Sequence, residues 1–101
     1  MYKVVYLPTA RQQLEDAVMY SAVDLCAPDA AMSLADEVDE AVHRLQEMPY
    51  RFPIYHTLYA MKHEIRFFPI NEYNVFYVVD ENTKTVEIWR ILHRLQKQER
   101  R

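Results

Sequence analysis

Hydrophobic positions recur along this chain with two periods, and the change from one to the other divides it. Leu14, Ala17, Val18, Ser21, Ala22 and Leu25 fall three and four apart, as do Ala31, Leu34, Ala35, Val38, Ala41, Val42, Leu45 and Met48. Each stripe marks the buried face of a helix. Pro28 sits where a second helix would start, with Asp29 beside it to complement the positive end of the dipole. Asp36, Glu37, Asp39, Glu40 and Arg44 lie off the stripe and read as a solvated face. The few residues between the helices predict an antiparallel hairpin. Ahead of them, Tyr2–Leu7 reads as a strand stopped by Pro8, and Thr9 with Gln12 fits a capping box opening the first helix.

From Glu64 to His93 the pattern shortens. Runs rich in Val, Ile, Phe, Tyr and Trp are broken at Asn71-Glu72 and at Asp80–Lys84, which predicts an antiparallel meander of three strands. Strict alternation would place Tyr73, Val75, Tyr77 and Val79 on one face of the middle strand, and Asn74, Phe76 and Val78 on the other. In the last strand it would set Glu87, Trp89, Ile91 and His93 against Val86, Ile88, Arg90 and Leu92. Both faces are apolar, so helices on one side leave the other for a terminal segment or a partner. The chain has no glycine; left-handed turn positions therefore fall to Asn71 and Asn82, and glycine-rich phosphate loops are excluded. The aromatics of the irregular stretch from Met48 to about Lys62 (Tyr50, Phe52, Tyr55 and Tyr59) are expected to pack it onto the domain. The fold class is α+β, one domain over residues 1–101 with a basic tail from about residue 94, and the first strand is expected to join the last beside it.

Composition changes this picture little. At 101 residues, half hydrophobic and 27% charged, the chain is a single globular domain. No apolar run reaches the ~18 residues of a membrane span, and the first residues lack a secretory pattern. Cys26 is the lone cysteine; it reads as a small buried hydrophobe, and the chain as cytoplasmic. His56, His63 and Glu64 match no zinc spacing, and neither metal nor cofactor is implied.

Charge is more informative. Residues 1–49 carry a net −6 and residues 50–101 a net +3, with +4 concentrated between Trp89 and Arg101. An anionic partner for the C-terminal face, or a merely solvated tail, both fit this asymmetry.

Particular residues then carry a resemblance. Ile65-Arg-Phe-Phe-Pro-Ile-Asn-Glu-Tyr-Asn-Val-Phe-Tyr77 and Val86-Glu-Ile-Trp-Arg-Ile-Leu-His93, with Leu7-Pro-Thr-Ala10 opening the first helix and Leu45 to Pro49 closing the second, resemble the RelE/ParE toxin superfamily of bacterial toxin–antitoxin systems. The likeness spans nearly the whole chain and is nearer the ParE-like branch, although Asn71 stands where a glycine is common and Asn74 where a basic residue is. It implies a type II toxin that inhibits DNA gyrase, in a hetero-oligomer with a cognate antitoxin, touching operator DNA only through that antitoxin.

For such an inhibitor no catalytic group is expected, and target binding falls to Arg90, Arg94, Lys97, Arg100 and Arg101. The RelE-like alternative is a ribosome-dependent endoribonuclease acting on mRNA. It would use Arg66 and Arg90 as phosphate-binding cations, with His93 and Tyr73 or Tyr77 moving protons. A third possibility keeps only antitoxin binding and co-repression. A pI near 5.8 argues against docking among ribosomal phosphates. Each of these side chains also has a structural reading: Arg90 paired with Glu64 or Glu87, His93 capping the sheet, the tyrosines buried with satisfied hydroxyls.

Overall fold

The computed structural model describes residues 1–56 and 63–95. Strand β1 (Lys3–Tyr6) leads into helix α1 (Pro8–Met19). A π-helical segment, Tyr20–Asp24, continues it, and helix α2 follows (Pro28–Glu47). Strands β2 (Arg66–Ile70), β3 (Tyr73–Asp80) and β4 (Thr85–His93) complete one sheet in the order β1-β4-β3-β2. β1 lies parallel to β4 and the meander is antiparallel, so the first strand does join the last.

Both helices open on proline. Leu7 is extended, at φ −69° and ψ 154°, because the residue before a proline is pushed out of the helical region, and Pro8 then supplies a helical φ without needing a hydrogen-bond partner. The expected capping box is therefore not formed. Leu7 takes the N-cap, Thr9 lies inside the helix, and Gln12 instead donates to Asp16 Oδ1 at 3.0 Å. Pro28 opens α2 with Asp29 in its first turn and Arg44 in its last.

The α1 stripe holds as far as Ala22, with Ser21 and Ala22 half-buried like Leu14 and Val18, and fails at Leu25. Val23 in the π-helical segment and Leu25 just after it are exposed, and Cys26 follows at φ 50°. Cys26 is exposed, against expectation: it lies past the end of the buried face, in the turn between the π-helical segment and α2, where it takes the left-handed conformation that a glycine would otherwise supply. Asn71 takes a left-handed φ of 53° as predicted, but in the next turn Lys84 does so in place of Asn82. The backbone N–H of Asn82 donates to Asp80 Oδ1, an Asx turn that has no need of a positive φ there.

The main core lies between the helices and one sheet face. Ala17, Leu34, Val38, Val42 and Leu45 meet Phe68, Val75, Tyr77, Val86, Ile88 and Ile91 there. Met48, placed on the buried stripe by its spacing, is exposed because α2 has already ended at Glu47.

One irregularity in the sheet overturns the alternation read for β4. Phe76 pairs with Arg90 but Tyr77 pairs with Ile88, leaving Trp89 as the extra residue of a β-bulge. Val86, Ile88 and Ile91 consequently share the helix side, while Trp89 and Leu92 join Ile65, Phe76 and Val78 in a second apolar cluster on the far face.

The connection after α2 passes from one face to the other around the β2 edge. Phe52 stacks on Phe68 at 4.5 Å on the helix side. Ile54 forms a bridge to Arg66 at the edge, and Tyr55 then lies edge-on to Phe76 at 5.1 Å on the far side. Tyr59 and Lys62 lie outside the described residues.

Candidate functional site

The sheet has two chemically distinct ends. At one, Arg66 begins β2 and is almost fully used by structure. Its guanidinium donates to the Phe52 carbonyl at 2.7 Å and the Tyr50 carbonyl at 3.4 Å, lies 5.0 Å from the centre of the Tyr50 ring, and stands 3.6 Å from Glu64. Tyr77, fully buried nearby, donates its hydroxyl to the Pro49 carbonyl at 2.7 Å, and burial pushes its pKa up to about 12. Next to this, Glu81 in the β3–β4 turn accepts from the hydroxyls of Tyr2 and Tyr50 and pairs with Lys84 at 2.7 Å. The bonds from Lys84, Tyr2 and Tyr50 bring its carboxyl down to about 2. The same contact, with some burial, raises the Tyr50 hydroxyl to about 12. This hub ties together the N-terminus, the connection after α2 and the β3–β4 turn.

At the other end, β4 finishes beside the turn between β2 and β3. Tyr73 and His93 are cross-strand partners with rings 5.2 Å apart, edge to face. His93 Nδ1 accepts the Leu95 backbone N–H at 3.1 Å, which leaves the proton of a neutral ring on Nε2, 3.9 Å from Glu72. Arg94 Nε is 3.7 Å from the same carboxylate. Burial, with Tyr20 and Glu72 nearby, raises the pKa of Tyr73. Tyr73 and His93 line a cleft of about 290 Å³ with Gln13, Asp16, Ala17, Tyr20 and Ile91. Gln13 has a structural duty in that wall. β1 ends before it reaches Ile91, and the Gln13 side-chain oxygen accepts the Ile91 N–H at 2.7 Å instead. Sequence reading missed Gln13, since only the third dimension sets α1 against the uncovered end of β4.

His93 and Tyr73 are thus brought together. Arg66 is not with them: it pairs with Tyr77, four positions along β3 from Tyr73, a separation of roughly 13 Å. Arg90 stands opposite Phe76 on the far face, exposed, its guanidinium donating to the Trp89 carbonyl at 2.8 Å. Among the described residues Arg90 pairs with neither Glu64 nor Glu87. Glu87 instead accepts the Trp89 indole N–H at 3.1 Å. Lys97, Arg100 and Arg101 lie outside the described residues.

A β-strand, a helical hairpin and a three-stranded meander in this order define the RelE/ParE fold of bacterial toxins. A family model described as the ParE toxin of the type II toxin–antitoxin system parDE matches residues 4–98. The chain belongs to that family. Among solved structures, it is similar to the chromosomal ParDE toxin–antitoxin system from P. aeruginosa, at 17% identity and a TM-score of 0.66 over 92% of this chain and 96% of that one. It is also similar to the RelBE2 toxin–antitoxin complex from Mycobacterium tuberculosis, with 22% identity, a TM-score of 0.59, and 91% and 96% of the two chains covered. The archaeal RelE–RelB complex from Pyrococcus horikoshii OT3 follows at 15% identity and a TM-score of 0.56, over 95% and 98%. No curated protein matches the sequence.

Proposed function

We propose that this ParE-family chain is a cytoplasmic toxin that binds DNA gyrase without chemistry of its own and is neutralised by a cognate antitoxin in a hetero-oligomer. Operator DNA would be reached only through that antitoxin. The observation that carries the gyrase reading is the scatter of the groups a ribonuclease needs. Proton transfer at a ribose 2′-hydroxyl must be matched by a cation held within a few Å of the phosphorus. Here His93 and Tyr73 share a cleft, Arg94 beside them stands against Glu72, Arg66 is at the far end of the sheet holding carbonyls, and Arg90 faces the opposite way. The low pI points in the same direction. For the antitoxin, support comes from the similar solved structures, which are toxin–antitoxin systems.

Two parallel assays test this: DNA supercoiling by gyrase, and cleavage of mRNA on translating ribosomes. Supercoiling should fall in the presence of the protein and also with His93→Gln, and it should recover when the chain is cut after Leu95. Cleavage of ribosome-bound mRNA that disappears with His93→Gln would instead establish the ribonuclease.

A further inference from the structure

The cleft at the Tyr73–His93 end of the sheet is lined by rings and by aliphatic carbon. Tyr20 of the π-helical segment, Tyr73 of β3 and His93 of β4 supply the rings, and the buried side chains of Ala17 and Ile91 the carbon. Each side also has a carboxylate. On α1, Asp16 lines the cleft and accepts the Gln12 amide at 3.0 Å, and among the described residues no cation pairs with it. On the sheet side, Glu72 lies 3.9 Å from His93 Nε2 and 3.7 Å from Arg94 Nε, both longer than a hydrogen bond. Burial raises the pKa of the Tyr73 hydroxyl and both Tyr20 and Glu72 add to it, which places these groups close together. The wider field has the same sign as the carboxylates. From Pro8 to Glu47 nine acidic residues stand against Arg11 and Arg44.

We propose that this cleft binds a small aliphatic diamine of the polyamine class, its methylenes against Ala17, Ile91 and the tyrosine rings and its ammonium groups toward Asp16 and Glu72. An aromatic ring attracts a cation through its negative face, more strongly where water is displaced. The aliphatic lining suits methylenes, whereas magnesium holds its water shell and gains nothing from such a surface. Carboxylates on two sides select a diamine over a single ammonium, and they repel nucleotides. At about 290 Å³ the cleft is small for a drug-sized molecule and ample for a diamine. His93 and Tyr73 serve here as walls and move no proton, so the inference is independent of which cellular target the toxin has.

The test uses the full chain with putrescine as the probe. Butanediol is the control for the carbon chain without charge, magnesium chloride for charge without the chain, and N-acetyl-lysine amide for the single ammonium a protein side chain would offer. Titration calorimetry should show saturable putrescine binding that weakens with added salt, and NMR shifts should centre on Tyr20, Tyr73 and Ile91. Butanediol and magnesium should not reproduce those shifts, and the lysine amide should bind severalfold more weakly. Asp16→Asn should weaken putrescine binding about tenfold, the loss of one charged hydrogen bond. Tyr20→Leu, which keeps the bulk and removes the ring, should weaken it about fivefold. Asp36→Asn changes an acid on α2 that does not line the cleft, and should leave the affinity as it was. All three positions are exposed, and unaltered thermal melting would show the variants folded. An equal loss with Asp36→Asn would reduce the effect to the diffuse field of the hairpin and overturn the proposal. Equal binding of butanediol, the same shifts from magnesium, shifts confined to another face, or no saturation at millimolar putrescine would also overturn it. A lysine amide that binds as tightly as putrescine would overturn it too, assigning the cleft to the side chain of a protein.

Discussion

Single residues account for the joints of this fold. Tyr77 has no exposure, and its hydroxyl satisfies a carbonyl at the end of α2's following turn. Tyr77→Phe leaves that carbonyl without its partner and should cost about 1–2 kcal/mol in denaturant unfolding, with the slope unchanged. Glu81 gives a pH signature. Its carboxyl titrates near 2 in the folded chain against an ordinary value of 4.5. A depressed carboxylate stabilises the fold above its unfolded pKa, and that stabilisation is lost as pH falls through the interval between the two. The gap in melting temperature between the native chain and Glu81→Gln should therefore be constant above pH 5, close between about pH 4.5 and 2, and be absent below. A gap that persists at pH 2 would show that the hub acts through something other than the charge of Glu81. At this scale most of what matters was unreadable in advance. Tyr2, Tyr50 and Glu81 are 31 and 79 positions apart in their pairings, and no local pattern links them.

Elements obey their periodicity wherever packing demands it. The α2 stripe is buried as its spacing required, with Val38 at 1% exposure and Leu45 at none. Val38→Asp should leave the chain unfolded at room temperature, because an unpaired charge would enter the core. Glu37→Ala and Glu40→Ala should each shift stability by no more than about half a kcal/mol, since their bonds to Ser33 and Arg44 are exposed. The structure adds a third expectation: Thr9→Ala should be as mild as these, for Thr9 caps nothing. A loss of about 1 kcal/mol or more at Thr9 would restore the capping box. The β4 bulge is the element-scale surprise. Alternation reads faces correctly only while pairing is regular, and one extra residue at Trp89 moves Ile91 to the helix side and Arg90 to the other.

Over the whole molecule, charge is divided. The acidic hairpin and the basic C-terminal end lie in different parts of the chain, and the cations available to a partner on the sheet side include Arg90 and Arg94, both exposed. Under the gyrase reading, Arg90→Glu with Arg94→Glu should weaken target binding severalfold at low salt and much less at high salt, because exposed charges act at long range and are screened. The melting temperature should barely change, as neither guanidinium has a buried partner among the described residues. Loss of binding accompanied by a lowered melting temperature would mean that these arginines hold the fold rather than the target.

What the sequence by itself determined is the set of elements and their broad arrangement: a strand, a hairpin of helices, a meander, and an apolar face on each. Those follow from periodicities of 3.6 and 2 and from proline positions, which act within a few residues and do not depend on the rest of the chain. Only the tertiary structure decided which residues meet. It exposed Leu25 and Cys26 in the turn before α2, put Gln13 on Ile91 where β1 runs out, turned the β4 faces at Trp89, and set Arg66 and His93 at opposite ends of one sheet. Each of these depends on register and closure between segments far apart in the chain, where a single inserted position reverses a face.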